Sequence, residues 1–232
     1  MPDLLIELLS EEIPARMQPR AAEDLRRLVT DGLVEGGLTY AGARAFATPR
    51  RLALAVEGLA AESPTLREER KGPRADAPET AIAGFLRATG LARADLETRD
   101  TPKGPVLFAT IERPGRPAEA IVAEVLERTV RGFPWPKSMR WGGPGLPGEG
   151  TLRWVRPLQS ILCLLSDEAG ARVVDLDIDG YRAGDTTRGH RFMAPDPLAV
   201  TGFEDYAAKL KRAKVILDAE ERAEAIRHEA AN

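Results

Sequence analysis

The sequence contains very little cysteine, histidine or aromatic residue. Its 232 residues include one cysteine, Cys163, and two histidines. A single cysteine excludes an intramolecular disulfide, which fits a reducing compartment. So few sulfur and imidazole ligands do not suffice for a structural zinc site, and we expect the chain to bind no metal. We interpret Cys163, which lies in the apolar stretch 158–165, as a small buried hydrophobic residue.

Long apolar runs and a large excess of one charge are also missing. No run approaches the roughly 20 apolar residues that span a bilayer, and no basic, cleavable leader is present. We therefore expect a cytoplasmic protein without membrane contact. The net charge of −3 is not that of a dedicated nucleic-acid-binding module, which is usually basic. We expect no DNA partner, and any RNA contact must rely on local basic patches.

Composition and element order together predict the fold class. Hydrophobic residues make up 43% and charged residues 30% of the chain, as in ordinary folded proteins. Aromatic residues make up only 5%, so the core must be mainly aliphatic. Strands and helices are mixed without regular βαβ alternation. The prediction is an α+β fold with mixed, mainly antiparallel sheets, packed helices and two subdomains.

Hydrophobic periodicity and turn residues place the individual elements. Helices are predicted over residues 14–35, 78–90, 117–131, 203–212 and from Asp218 onward. Strands are predicted over residues 3–8, 43–48, 51–59, 94–100, 105–112 and 172–179, with 181–188 pairing to the last through the turn Asp179-Gly180. The predicted division is into residues 1–131, 132–217 and 218–232, the last being the start of a truncated helical region.

The most distinctive segment is 133–142, where two of the three tryptophans bracket a lysine and an arginine. In an extended chain, Lys137 shares a face with Trp135 and Trp141. In a helical turn, Lys137, Arg140 and Trp141 share a face. Both arrangements place cations beside aromatic rings, which suits RNA phosphates and bases. In the alternative interpretation the tryptophans anchor the core and the cations extend to solvent.

Two further basic clusters are candidates for contacts with RNA or with another subunit. Arg50 and Arg51 join two predicted strands, where they could bind a phosphate or form a solvated turn. His190 and Arg191 follow Gly189, where they could bind phosphate or only shape a turn. The complete set of candidate residues is Arg50, Arg51, Lys137, Arg140, Trp141, Arg156, His190 and Arg191.

Pro136-Lys137-Ser138-Met139-Arg140-Trp141-Gly142 resembles a signature of the β subunit of bacterial two-subunit glycyl-tRNA synthetase. Further segments that resemble this family occur in the same order: Leu5-Ile6-Glu7, Glu11-Glu12-Ile13-Pro14, Thr48-Pro49-Arg50-Arg51-Leu52-Ala53, Lys71-Gly72-Pro73, Ala83-Gly84-Phe85, Lys103-Gly104, Arg156-Pro157-Leu158 and Gly189-His190-Arg191-Phe192. The resemblance covers nearly the whole chain. It departs at Leu9-Ser10, where the family usually has Gly-Thr, and in the Gly- and Pro-rich segment 142–150.

The resemblance implies an amino-terminal fragment of a longer β subunit. The whole enzyme would join glycine to tRNA(Gly) using ATP and Mg²⁺, in a heterotetramer of two α and two β subunits. Glycine activation would belong to α, and β would serve tRNA handling and assembly. The partners implied are therefore the α subunit and tRNA(Gly). The fragment would hold no catalytic residue and no cofactor, and by itself would be inactive.

Two other functions remain open at this point. One is a stand-alone hydrolase or transferase that uses His190 with the carboxylates of Asp175, Asp177 and Asp179, which alternate along a predicted strand. The same carboxylates more simply form the solvent face of a half-buried strand. The other is a purely architectural module that only docks the α subunit.

Overall fold

The structure is a computed structural model that describes residues 1–102, 104–140 and 152–231. The helices, in chain order, are α1 (Gln18–Glu35), α2 (Glu79–Thr89), α3 (Ala118–Arg131), α4 (Phe203–Arg212) and α5 (Ala219–Ala231). The strands are β1 (Asp3–Ser10), β2 (Gly42–Thr48), β3 (Arg51–Glu57), β4 (Leu66–Arg74), β5 (Leu96–Thr101), β6 (Gly104–Arg113), β7 (Met139–Arg140), β8 (Arg153–Trp154), β9 (Leu158–Asp167), β10 (Gly170–Val173), β11 (Asp177–Ile178), β12 (Tyr181–Gly184), β13 (Thr186–Arg188) and β14 (Pro197–Ala199). The predicted α+β class with mainly antiparallel sheets is confirmed.

The chain forms two compact units, one of residues 1–63 with residues from 117 onward, the other of residues 64–116. The larger unit is built on a sheet with the strand order β11-β12-β9-β1-β3-β2, and β10 also pairs with β9. All these pairs are antiparallel except that of β12 with β9. The predicted boundaries at residues 131 and 217 stay a prediction, since a grouping by contacts measures compactness rather than independent folding.

Strand β1 lies in the middle of this sheet and is buried on both faces. Leu4, Ile6 and Leu8 belong to the larger core cluster, which includes apolar side chains of α1 and α3. Leu5 points to the opposite face, where a second cluster contains Tyr206 of α4. Because side chains alternate along a strand, Glu7 shares the face of Leu5. An acidic side chain is thereby placed in the apolar layer under α4.

Helices α1 and α3 approach each other closely on the larger core. A Cβ atom added to Gly32 of α1 would lie 2.7 Å from Cγ1 of Val125, and one added to Gly36 would lie 2.5 Å from Cγ2 of Ile121. Real Cβ atoms do not come so close to other carbons, so glycine is required at both positions for this packing. The apolar stripe predicted on 117–131 is the face of α3 that packs there.

One strand prediction is wrong in part. Residues 172–179 do not form one strand, because β10 ends at Val173 and β11 begins at Asp177. The physical reason lies on the neighbouring strand: β12 pairs with Ile161 and Leu162 of β9, so β10 cannot continue along that edge. The predicted alternation is still present, since Val174, Leu176 and Ile178 are buried. The predicted pairing through Asp179-Gly180 is confirmed by β11 and β12.

The smaller unit is a three-stranded antiparallel sheet, ordered β4-β6-β5, with helix α2. Gly72 of β4 lies under Phe85 of α2, where a Cβ atom would be 2.5 Å from Cε1 of the ring. Gly90 ends α2 with a φ of 70°, in the left-handed region that favours glycine. These contacts account for two of the motif glycines, and Lys103 lies outside the described residues. Among the residues that are described, no helix is both long and apolar enough to cross a membrane.

Candidate nucleic-acid interface

The carboxylate of Glu7 is fully buried and forms the centre of a polar network. Thr187 donates its hydroxyl hydrogen to Glu7, with Oγ1 2.6 Å from Oε1 and 2.9 Å from Oε2. Tyr206 of α4 donates from Oη to Oε2 at 2.5 Å. Burial and the neighbouring Glu7 raise the pKa of Tyr206 well above its ordinary value, so the phenol stays a donor.

Arg51 supplies the positive charge that this buried carboxylate requires. Its side chain is almost fully buried, and its Nε lies 3.6 Å from Oε2 of Glu7. Its Nη2 donates to the carbonyl oxygen of Arg188 at 2.7 Å. Thus β1, β3, β13 and α4 are connected through one ion pair and its hydrogen bonds. The pair positions the end of β3, and with it the turn that carries Arg50.

Arg50 and Arg191 lie together although they are far apart in the sequence. Arg50 Nη2 donates to Oε1 of Gln159 at 2.7 Å and lies 4.0 Å from Oε1 of Glu11. Arg191 Nη2 lies 3.2 Å from Oε2 of Glu11 and 3.6 Å from Oε1 of Glu12. Burial lowers the pKa of Arg50, and the positive charges of Arg191 and Arg51 lower it further. The arginines therefore repel one another, and the neighbouring carboxylates only partly offset this.

The segment 189–194 is a hydrogen-bonded turn. Nδ1 of His190 accepts hydrogen bonds from the backbone N–H groups of Phe192, at 3.3 Å, and Met193, at 3.2 Å. The His190 carbonyl accepts from the backbone N–H of Ala194, and the His190 N–H donates to the carbonyl of Ala213 at 2.9 Å. Because Nδ1 is an acceptor, the neutral imidazole carries its proton on Nε2. His190 thus shapes the turn, as its structural interpretation predicts.

These groups line one open cavity of about 360 Å³. Its basic side chains are Arg50, Arg51, His190, Arg191, Lys214 and Arg222, and its one lining carboxylate is Glu12. Three buried guanidinium nitrogens in its wall, Nε of Arg50 and Nε and Nη1 of Arg51, have no hydrogen-bond acceptor among the described residues. The positive charge of the wall is therefore incompletely compensated. An oxyanion such as a phosphate is the ligand that such a wall attracts.

Four of the candidate residues, Arg50, Arg51, His190 and Arg191, are brought together by this cavity. Lys137 lines a separate cavity of about 480 Å³, beside Arg16, Arg20 and Trp135. Arg140 is exposed on β7, and exposed Arg156 donates only to the carbonyl of Val155. Trp141 lies outside the described residues.

The segment before β7 is neither an extended strand nor a helical turn. Residues 133–138 are irregular, and Trp135 packs against Phe133 and Trp154, with ring centroids 4.7 and 5.0 Å away. Trp154 is fully buried. This agrees with the interpretation in which a tryptophan of the block anchors the core, while exposed Lys137 and Arg140 extend to solvent.

The acidic strand residues have local roles. Asp177 Oδ1 accepts from the backbone N–H of Gly180 at 2.8 Å, and Asp179 Oδ1 lies 3.0 Å from Nη2 of Arg131. In the described part of the chain, no three His, Cys, Asp or Glu side chains are grouped so as to hold a metal ion. The structure gives no support to a hydrolase that uses His190 with Asp175, Asp177 and Asp179.

Sequence reasoning missed Lys214 and Arg222 at the cavity and Glu7 beneath it. Lys214 follows α4, and Arg222 extends from α5 to donate to the carbonyl of Ala47 at 3.0 Å. Neither residue belongs to a local motif, so no signal in the sequence could have placed it here. Glu7 did leave a signal, because a single acidic residue within Leu4-Leu5-Ile6-Glu7-Leu8-Leu9 indicates a buried charge that must be paired.

The fold and the cavity define an α+β protein with a basic site suited to oxyanions. Residues 4–232 match the family model described as glycyl-tRNA synthetase beta subunit. The chain belongs to this family, as its motifs predict. It is 72% identical over 232 residues to a glycine–tRNA ligase beta subunit of Paracoccus denitrificans, covering 100% of this chain and 33% of that protein. It is 74% identical over 230 residues to a protein of the same name from Cereibacter sphaeroides, covering 99% of this chain and 32% of that protein. The chain thus spans about a third of the length of these relatives.

Proposed function

We propose that this chain is a non-catalytic part of the β subunit of a glycine–tRNA ligase and that it helps to bind tRNA(Gly). The observation that carries the proposal is the basic cavity, in which residues from both ends of the larger unit converge. A phosphate backbone attracts such groups of cations, and arginine binds its oxygens in a bidentate manner. Contacts of this kind position an RNA and do not read its sequence.

In this proposal the catalytic steps take place elsewhere in the enzyme. The assembled tetramer, working in the cytoplasm, charges tRNA(Gly) with glycine using ATP and Mg²⁺, and the α subunit activates the glycine. The chain supplies no catalytic residue and holds no cofactor. The geometry of His190 supports this, because its Nδ1 is engaged with two backbone N–H groups. A base in acid–base catalysis needs a free nitrogen within reach of its substrate.

The acidic neighbours of the cavity are consistent with RNA contact. Glu11 accepts a hydrogen bond from Gln159 and also pairs with Arg50 and Arg191. Both guanidinium groups are thus held in place before any ligand arrives, so less side-chain freedom is lost on binding. Lys137, Arg140, Trp141 and Arg156 remain proposed as further contacts with tRNA or the α subunit.

The test is the salt dependence of tRNA binding by the assembled α and β subunits. Each of Arg50→Ala and Arg191→Ala should weaken binding and reduce the slope of log K against log salt by about one unit or less per lost phosphate contact. The matched control is Arg172→Ala, since Arg172 is also exposed and ion-paired, to Asp167, but does not line the cavity. Slopes that stay equal to those of the unaltered enzyme would show that the cavity does not bind RNA.

A further inference from the structure

One aromatic side chain beside the basic cavity is turned toward solvent. Phe192 is 80% exposed, whereas the other five of the chain's six phenylalanines are buried or partly buried. Its neighbour Met193 is 66% exposed. Exposing a phenyl ring forgoes the stabilisation that its burial would give. This exposure therefore requires an explanation outside the packing of the unit.

The turn holds Phe192 in this exposed position. The backbone N–H groups of Phe192 and Met193 donate to Nδ1 of His190, and the backbone of His190 is bonded to Ala213 and Ala194. Gly189 is packed so tightly that an added Cβ would lie 2.4 Å from the Cβ of Ala213. The turn is thus fixed from both sides. A ring presented on a fixed turn loses little conformational freedom when a ligand covers it.

The surroundings of the ring select the chemistry of that ligand. Phe192 lines the same cavity as Arg50 and Lys214, and the guanidinium of Arg191 lies 5.8 Å from its ring centroid. An apolar protein surface would leave these cations without counter-charges. A flat apolar group that carries an adjacent negative charge satisfies both the ring and the cations, and a nucleotide is such a ligand. In a duplex the faces of the bases are covered, so only an unpaired nucleotide can offer its base to the ring.

We propose that Phe192 stacks on the base of an unpaired nucleotide whose phosphate lies in the basic cavity. This inference rests on the proposed function, which it narrows from RNA to a single-stranded region of RNA. The cations hold the phosphate and the ring holds the base. Stacking tolerates any base, because every base has a π face. The contact would therefore report that a nucleotide is unpaired and not which nucleotide it is.

The test compares variants of the assembled enzyme on two probes: a short single-stranded RNA and a blunt duplex of the same sequence. Phe192→Ala and Phe192→Leu should each weaken binding of the single strand by about tenfold, since only the aromatic ring can stack. Phe192→Tyr should bind as the unaltered enzyme does. Met193→Ala is the matched control, because it shortens the other exposed apolar side chain of the turn. Binding of the duplex should be the same for all four variants.

The outcomes separate this inference from the function on which it rests. If Arg50→Ala and Arg191→Ala weaken RNA binding but Phe192→Ala does not, the stacking inference is wrong and the RNA contact stands. If none of the three changes RNA binding, both are wrong. If Phe192→Leu binds the single strand as tightly as the unaltered enzyme, the ring does not stack. If Phe192→Ala loosens the association of the subunits and leaves RNA binding intact, the turn docks a protein and the inference is overturned.

Discussion

The ion pair between Glu7 and Arg51 is expected to dominate the stability of the larger unit. Replacing Glu7 with Gln preserves the shape of the side chain but leaves the guanidinium of Arg51 buried without a counter-charge. Removal of one partner of a buried pair costs about 3–5 kcal/mol of unfolding free energy. The Nε to Oε2 distance of 3.6 Å is long for a hydrogen bond, which places the expected loss at the lower end of this range.

A double-mutant cycle measures the pair itself. Arg51→Met removes the cation and fills its volume, and Glu7→Gln combined with Arg51→Met removes both charges. Removing both avoids an isolated buried charge, so the double variant should lose less free energy than the sum of the single losses, by about 2–3 kcal/mol. The assay is urea unfolding of the 232-residue chain followed by circular dichroism. Single losses that add to within about 0.5 kcal/mol would refute the reasoning.

Three further predictions concern the same unit. Tyr206→Phe should destabilise the chain at neutral pH by about 1.5–3 kcal/mol through the lost hydrogen bond to Glu7. Because the folded pKa of Tyr206 is raised, this difference from the unaltered chain should shrink above about pH 10, measured as urea midpoints, and a constant difference would contradict the assignment. Cys163, fully buried and with its pKa raised by burial, should react with a thiol reagent only as fast as the chain unfolds, and fast labelling in native buffer would disprove its burial. Ending the chain at Asp218 should leave it folded, since α5 buries no residue and only the contacts of Arg222 are lost, whereas loss of cooperative thermal unfolding would show that α5 completes the core.

Local patterns in the sequence were sufficient to place most elements. The helix at 117–131 and the hairpin through Asp179-Gly180 follow from side-chain periodicity and turn chemistry, which act over a few residues. The break in 172–179 could not be seen, because it depends on β12 taking the edge of β9. The position of β9 beside β1 is equally invisible, since the two strands are separated by most of the chain.

The site was predictable only in parts. The two motifs that contain Arg50 and Arg191 are legible as basic turns, but their proximity depends on the sheet order and on the turn anchored at Ala213. The tryptophan block drew attention through its composition, yet Trp135 packs with Phe133 and Trp154. Composition indicates which side chains could bind RNA, and only the three-dimensional arrangement shows which of them lie together.

The central claim is that the basic cavity binds tRNA and takes no part in the chemistry. The most direct measurement is steady-state charging of tRNA(Gly) by the assembled enzyme carrying Arg50→Ala with Arg191→Ala, alongside glycine-dependent exchange of pyrophosphate into ATP. We predict a raised KM for tRNA with an unchanged exchange rate, because only interactions with the RNA are removed. An exchange rate that falls together with charging, or a KM for tRNA that does not change, would contradict this account.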